Sequence, residues 1–95
     1  MVSNMKARLL FNAHEALDES RFVEIVIWEV PKPVRSSAHG FKYRLACVVD
    51  EVCVLRYDNE IGKGDHKHLG GHEVPYVFTT LDQLVEDFWA DVARL

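Results

Sequence analysis

The stretch 41-FKYRLACVVDEVCVLRYD-58 reads as two extended arms around an acidic turn. On the first arm Phe41, Tyr43, Leu45, Cys47 and Val49 share one face, and Lys42, Arg44, Ala46 and Val48 share the other. On the second, Cys53, Leu55 and Tyr57 alternate with Val54, Arg56 and Asp58. Register decides how these faces combine, because a slip of one residue turns every side chain to the opposite side. A two-residue loop would set Arg56 on the apolar face beside Leu45. A three-residue loop pairs Leu45 with Tyr57, Cys47 with Leu55 and Arg44 with Asp58, and burial favours it. The hairpin then has one apolar face and one face bearing Lys42, Arg44, Arg56 and Asp58.

An apolar sheet face needs a cover, and 80-TLDQLVEDFWADV-92 supplies one. Leu81, Leu84, Val85, Phe88, Trp89 and Val92 recur at the spacing of one helix stripe, with Asp82, Glu86, Asp87 and Asp91 opposite. Thr80 and Gln83 form a capping-box pattern. Upstream, residues 21–30 (RFVEIVIWEV) are rich in β-branched and aromatic residues and read as a strand. Residues 6–16 suit a strand or a helix. Residues 31–40, with two prolines, read as loop. Residues 59–72 read as a glycine-rich loop, and 74–78 as a short extended piece. The expected fold is α+β: an antiparallel sheet of four to five strands with one C-terminal amphipathic helix on one face.

The chain has 95 residues, which predicts a single domain over 1–95. A net charge of −4 excludes a general basic coat for nucleic acid and leaves room for a local basic site. No apolar run approaches the roughly 18–20 residues of a membrane span. Nothing in MVSNMKARLL resembles a secretory signal, so a cytoplasmic location is expected, with no membrane partner. Cys47 and Cys53 are then read as reduced and buried.

The stretch 57-YDNEIGKGDHKHLGGH-72 gathers Lys63, His66, His68 and His72 with Asp58, Asp65 and several glycines. These are the residue types that phosphate chemistry uses. Histidine moves a proton near neutral pH, and a cation stabilises charge developing on a phosphoryl oxygen. A glycine-rich turn can present backbone N–H groups to an anion. A solvated polar loop has the same composition. On an extended chain His66 and His68 would point the same way. With Asp65 or His72 they could hold zinc, but no Cys-x-x-Cys or helical His-Glu-x-x-His accompanies them, so no metal ligand and no cofactor are expected. Lys42, Arg44 and Arg56 could form a cationic platform for a nucleic-acid backbone or a merely solvated face. Trp28 could stack a base or fill the core. His39 reads as a loop residue and His14 takes no role.

Four blocks, 24-EIVIWEVPKPV-34, 38-AHGFKYRLACVVD-50, 56-RYDNEIGKGDHKHLGGHEVPYVF-78 and 81-LDQLVEDFWADV-92, together resemble the TumE-type toxins of bacterial toxin–antitoxin pairs. The resemblance implies a small growth-inhibiting toxin, encoded beside an antitoxin with a helix-turn-helix domain and acting by RNA cleavage. It places Tyr57, Asp58, Lys63, Gly64, Asp65, His66 and His68 in one shared polar block, and Lys42, Tyr43 and Arg44 in another. One departure is Glu51-Val52 in the hairpin turn, where the family pattern has glycine after the aspartate. The acidic net charge is another.

The resulting expectation is a metal-independent endoribonuclease. His66 and His68 would serve as base and acid, Lys63 would stabilise charge, and Asp58 would orient. Lys42, Tyr43, Arg44, Arg56, Tyr57, Gly64 and Asp65 would bind RNA, with Tyr43 or Tyr57 stacking a base or donating a proton. The alternatives are a non-catalytic protein- or nucleic-acid-binding module and a metal-dependent nuclease using Asp65, His66 and His68. A homo-oligomer is compatible with either.

Overall fold

A computed structural model describes residues 6–60 and 62–95. Residues 1–5, part of the stretch MVSNMKARLL in which no secretory signal is expected, lie outside them, as does Ile61. The described chain runs β1 (Arg8–Ala16), β2 (Arg21–Glu29), β3 (Phe41–Val49), β4 (Val52–Asp58), β5 (His66–Leu69), β6 (His72–Pro75) and α1 (Leu81–Ala93). All six strands form one antiparallel sheet in sequence order.

The α+β architecture is the expected one, with six strands instead of four to five. The difference lies in residues 66–75. Half of the expected glycine-rich loop is a second hairpin, in which Gly70-Gly71 form the two-residue turn between β5 and β6. Residues 6–16, which suited either state, supply strand β1.

The β3–β4 register is the one that burial demanded: Arg44 opposite Asp58, Leu45 opposite Tyr57 and Cys47 opposite Leu55. It is reached differently, however. The turn has two central residues, Asp50 and Glu51, with φ of 49° and 68°. Such left-handed pairs match the twist of a tight hairpin. The extra residue is Val54, accommodated where the register shifts after Cys47.

One face of the sheet carries the core. Val23, Ile25 and Ile27 of β2, Tyr43, Leu45 and Cys47 of β3, and Leu55 and Tyr57 of β4 meet Leu84, Phe88 and Val92 of α1. Burial of each large apolar side chain contributes roughly 1.5–3 kcal/mol. The Thr80 hydroxyl accepts from Gln83 N at 3.0 Å and starts the helix. The reciprocal half of the capping box is replaced, since Gln83 Nε2 donates to Asp87.

Two readings change with burial. Asp91, assigned to the polar side of the helix, is 4 % exposed and faces the core. It flanks the apolar stripe three residues after Phe88, and three polar partners there make its burial tolerable: Tyr57, Lys67 and Arg94. Both cysteines are free, as expected, but only Cys47 is buried; Cys53 is exposed beside the hairpin turn.

Candidate functional site

The bare face of the sheet is built by strand alternation. Across it, one row runs Val26, Arg44, Asp58, His66 and Pro75, and the next runs Glu24, Ala46, Arg56, His68 and Glu73. His66 and His68 therefore share this face, as an extended chain requires, while Lys67 between them passes to the helix side. Lys42 lies on the bare face one row further out, opposite Trp28.

Glu73 is the centre of the cluster. Its Oε2 lies 3.4 Å from His66 Nε2, 3.5 Å from His68 Nε2 and 2.9 Å from Lys63 Nζ. The lysine hydrogen bond holds the Glu73 carboxyl below its ordinary range; desolvation opposes this, and the charges of Lys63 and the two histidines add to it. His66 Nε2 also lies 3.3 Å from Asp58 Oδ1, and Asp58 Oδ2 lies 2.7 Å from Arg56 Nε. Arg44 turns the other way, toward Glu24 at 3.6 Å. The two imidazoles meet edge to face, 5.2 Å apart.

Lys63 Nζ donates to Glu73 Oε1 at 3.2 Å, but the contacts of the two imidazoles and of Arg56 Nε are close without being aligned hydrogen bonds. Arg56 Nε, Asp58 Oδ1, His66 Nε2 and His68 Nε2 are all buried without a hydrogen-bond partner. Buried polar atoms normally find one. The Nδ1 of His66 is satisfied, donating to the Gly64 carbonyl at 2.9 Å. That bond fixes the ring with Nε2 facing the cluster. His66 is 5 % exposed at its side chain and His68 is 30 % exposed. An open depression lined by Lys63, His66, Glu73, Val74 and Pro75 gives access from solvent.

Several residues assigned to RNA binding do not reach this face. Tyr43 and Tyr57 are fully buried on the helix side and present no ring for a base. Their hydroxyls donate to Asp65 and Asp91, and burial followed by those bonds raises both phenols far above their ordinary range. Asp65 lies on the side opposite His66. Its carboxylate accepts from Ser37 Oγ at 2.7 Å, His39 Nε2 at 2.6 Å and Tyr43 Oη at 2.7 Å. Burial pushes the Asp65 carboxyl up, but these three donors outweigh it and the net shift is downward. His39, read as a loop residue, is thus a clamp: Nδ1 accepts from Phe41 N, and the ring stacks on Phe78 at 3.8 Å. Gly64 is structural too. With φ of +89°, it has only 3.0 Å between an added Cβ and the Ser36 carbonyl. His72, paired with Leu69, falls on the helix side and is exposed.

Two contributors escaped the sequence reading. Glu73, given no role from sequence, joins the expected Asp58 as a carboxylate beside the histidines. Asn59 is fully buried and ties the two loops together, donating to Phe41 O and Ser37 Oγ and accepting from Tyr43 N. The Gly70-Gly71 pair was the available signal for Glu73, because a two-residue turn there sets Glu73 opposite His68.

Fold and cluster together define a small α+β protein whose solvent-facing ionic chemistry sits on the side of the sheet that its helix leaves bare. Comparison with known families makes the assignment particular. The family model described as Toxin TumE matches residues 6–95, and the chain belongs to that family. It is accordingly the toxin component of a toxin–antitoxin system, a class that implies an antitoxin partner. No curated protein and no solved structure matches the chain. Among the described residues, no helix is long and apolar enough to cross a membrane.

Proposed function

We propose that the toxin acts by cleaving RNA at the bare-face cluster, without a metal, in the cytoplasm. One observation carries this reading: two imidazole Nε2 atoms converge on a single carboxylate, between the cations Lys63 and Arg56, on an open sheet face. His68, the more open ring, takes the proton from a ribose 2′-hydroxyl. The 2′-oxygen attacks the adjacent phosphorus and the bond to the 5′-oxygen breaks. His66 returns a proton to that oxygen, leaving a 2′,3′-cyclic phosphate and a 5′-hydroxyl. Lys63 and Arg56 stabilise the charge that develops on phosphorus-bound oxygens. Asp58 holds Arg56 and His66 in place, and Lys42 and Arg44 extend the cationic approach. The antitoxin partner is of the helix-turn-helix type.

The test is incubation of purified toxin with end-labelled RNA in EDTA. Cleavage by the wild type that falls about 10²-fold or more in His68→Ala is expected. Intact RNA under all conditions, from a protein that still arrests growth, would overturn the reading in favour of a binding module.

A further inference from the structure

We infer that His66 Nε2, His68 Nε2 and a Glu73 carboxylate oxygen form a site for a transition-metal dication of the zinc type, and that a metal there silences RNA cleavage. The second half rests on the proposed function; the first does not.

The three donor atoms lie within 4.8 Å of one another. Metal–ligand bonds of about 2.0–2.1 Å at a tetrahedral angle separate neighbouring donors by about 3.3 Å. The distances of 3.4 and 3.5 Å from the imidazoles to Glu73 Oε2 are close to that edge. They are long for a hydrogen bond, and both nitrogens are buried without a partner. His66 is the decisive group: 5 % exposed at its side chain, aimed inward, and held by a carbonyl on its other nitrogen. A backbone carbonyl on the far nitrogen is the support that metal-bound imidazoles normally have. Asp58 adds a second anionic group 3.3 Å from His66 Nε2. Two imidazoles and a carboxylate suit zinc and its neighbours, whereas magnesium and calcium need oxygen donors.

Lys63 occupies the same Glu73 oxygen at 2.9 Å and is the cation that a metal would displace. The site is built from the lone pairs that proton transfer uses, so one nitrogen cannot serve both at once.

The full-length protein, stripped with chelator and dialysed, is titrated with cobalt(II) and followed by its visible absorption. One equivalent should bind with the bands of a four- or five-coordinate ion, and zinc but not magnesium should displace it. Glu73→Gln and His68→Ala, at partly exposed positions, should keep their melting transitions and lose more affinity than the roughly 10–100-fold that loss of a supporting partner costs. His66→Ala, at a buried position, should also lose affinity. Lys63→Ala should bind at least as tightly as wild type, since it lacks the competing ammonium. Absence of saturable binding, or binding indifferent to Glu73→Gln and His68→Ala, overturns the site. Cleavage should fall on adding zinc and return with EDTA; cleavage that rises with zinc overturns the silencing. Metal binding without cleavage in EDTA removes the proposed function and the silencing with it, and leaves the metal site standing.

Discussion

The Lys67 ammonium lies 2.9 Å from Asp91 Oδ2 and 5.4 Å from the centre of the Tyr57 ring, on the helix side of the strand whose other face bears His66 and His68. Four consecutive residues of β5 thus serve both sides of the sheet. The lysine ties the sheet to α1, and the histidines build the bare-face cluster.

Separation of these duties should be visible in variants. Removing one partner of a buried pair costs about 3–5 kcal/mol when the other is left stranded. Lys67 keeps some solvent contact, so Lys67→Ala should cost less, about 1–2 kcal/mol. Asp91→Ala leaves the buried Tyr57 hydroxyl only the Asp87 carbonyl at 3.3 Å and takes the anion from Lys67, and should cost about 3 kcal/mol. Urea denaturation measures both. RNA cleavage at a temperature where Lys67→Ala is folded should be unchanged.

The β3–β4 turn holds Glu51 at a φ of 68°. An L-residue in this region bears about 1–2 kcal/mol of strain that glycine does not. Glycine gives back part of this through the freer unfolded chain, roughly 0.4–1 kcal/mol. Glu51→Gly should therefore raise stability by about 0.5–1 kcal/mol, seen as a higher urea midpoint at an unchanged slope. A lower midpoint would show that the left-handed turn is wrong.

Acid should loosen the two polar clamps. Asp65 and Asp91 both have carboxyls whose burial is outweighed by their hydrogen bonds, so their folded-state values lie below the ordinary 3.8. A lowered value gives stability that is complete above the unfolded pKa and lost as pH falls through the folded one. The loss should begin near pH 4 and continue below it. Asp65→Asn should be less stable than wild type at pH 7, and the gap should narrow as pH drops below about 3.8. Thermal melts between pH 7 and pH 2 follow it.

Tyr43→Phe removes the hydroxyl that meets Asp65 and should cost about 1 kcal/mol. At a permissive temperature it should arrest growth as wild type does and, under the proposed function, give the same result as wild type with end-labelled RNA. A loss of cleavage in folded Tyr43→Phe would return the tyrosine to the site.

The central sheet was legible because its apolar alternation admits only one register that keeps Arg56 out of the core. Helix α1 was legible through its stripe, except at Asp91. No periodicity distinguishes a carboxylate in water from one tucked beside a stripe to meet a tyrosine and a lysine. The β5–β6 hairpin was harder to see. HKHL and HEVP have little of the β-branched content that marks strands, and they are held by pairing to β4 and by ionic contacts among side chains. Sequence could pair His66 with His68 by alternation alone. Alternation also set Asp58 on their face, but Glu73 went unseen, because its place opposite His68 depends on a hairpin that the composition of residues 66–75 does not announce.

Strand β1 has consequences for handling the protein. It ends the sheet, no described strand covers its outer edge, and Leu9, Leu10 and Phe11 are in solvent. Along this nine-residue strand the alternate amides and carbonyls that do not pair with β2 point outward, and beside greasy side chains they are a ready template for a passing strand. In a concentrated preparation this border, ahead of the charged cluster, will set how long the toxin remains in solution. A single lysine at Phe11 would be the first remedy to try.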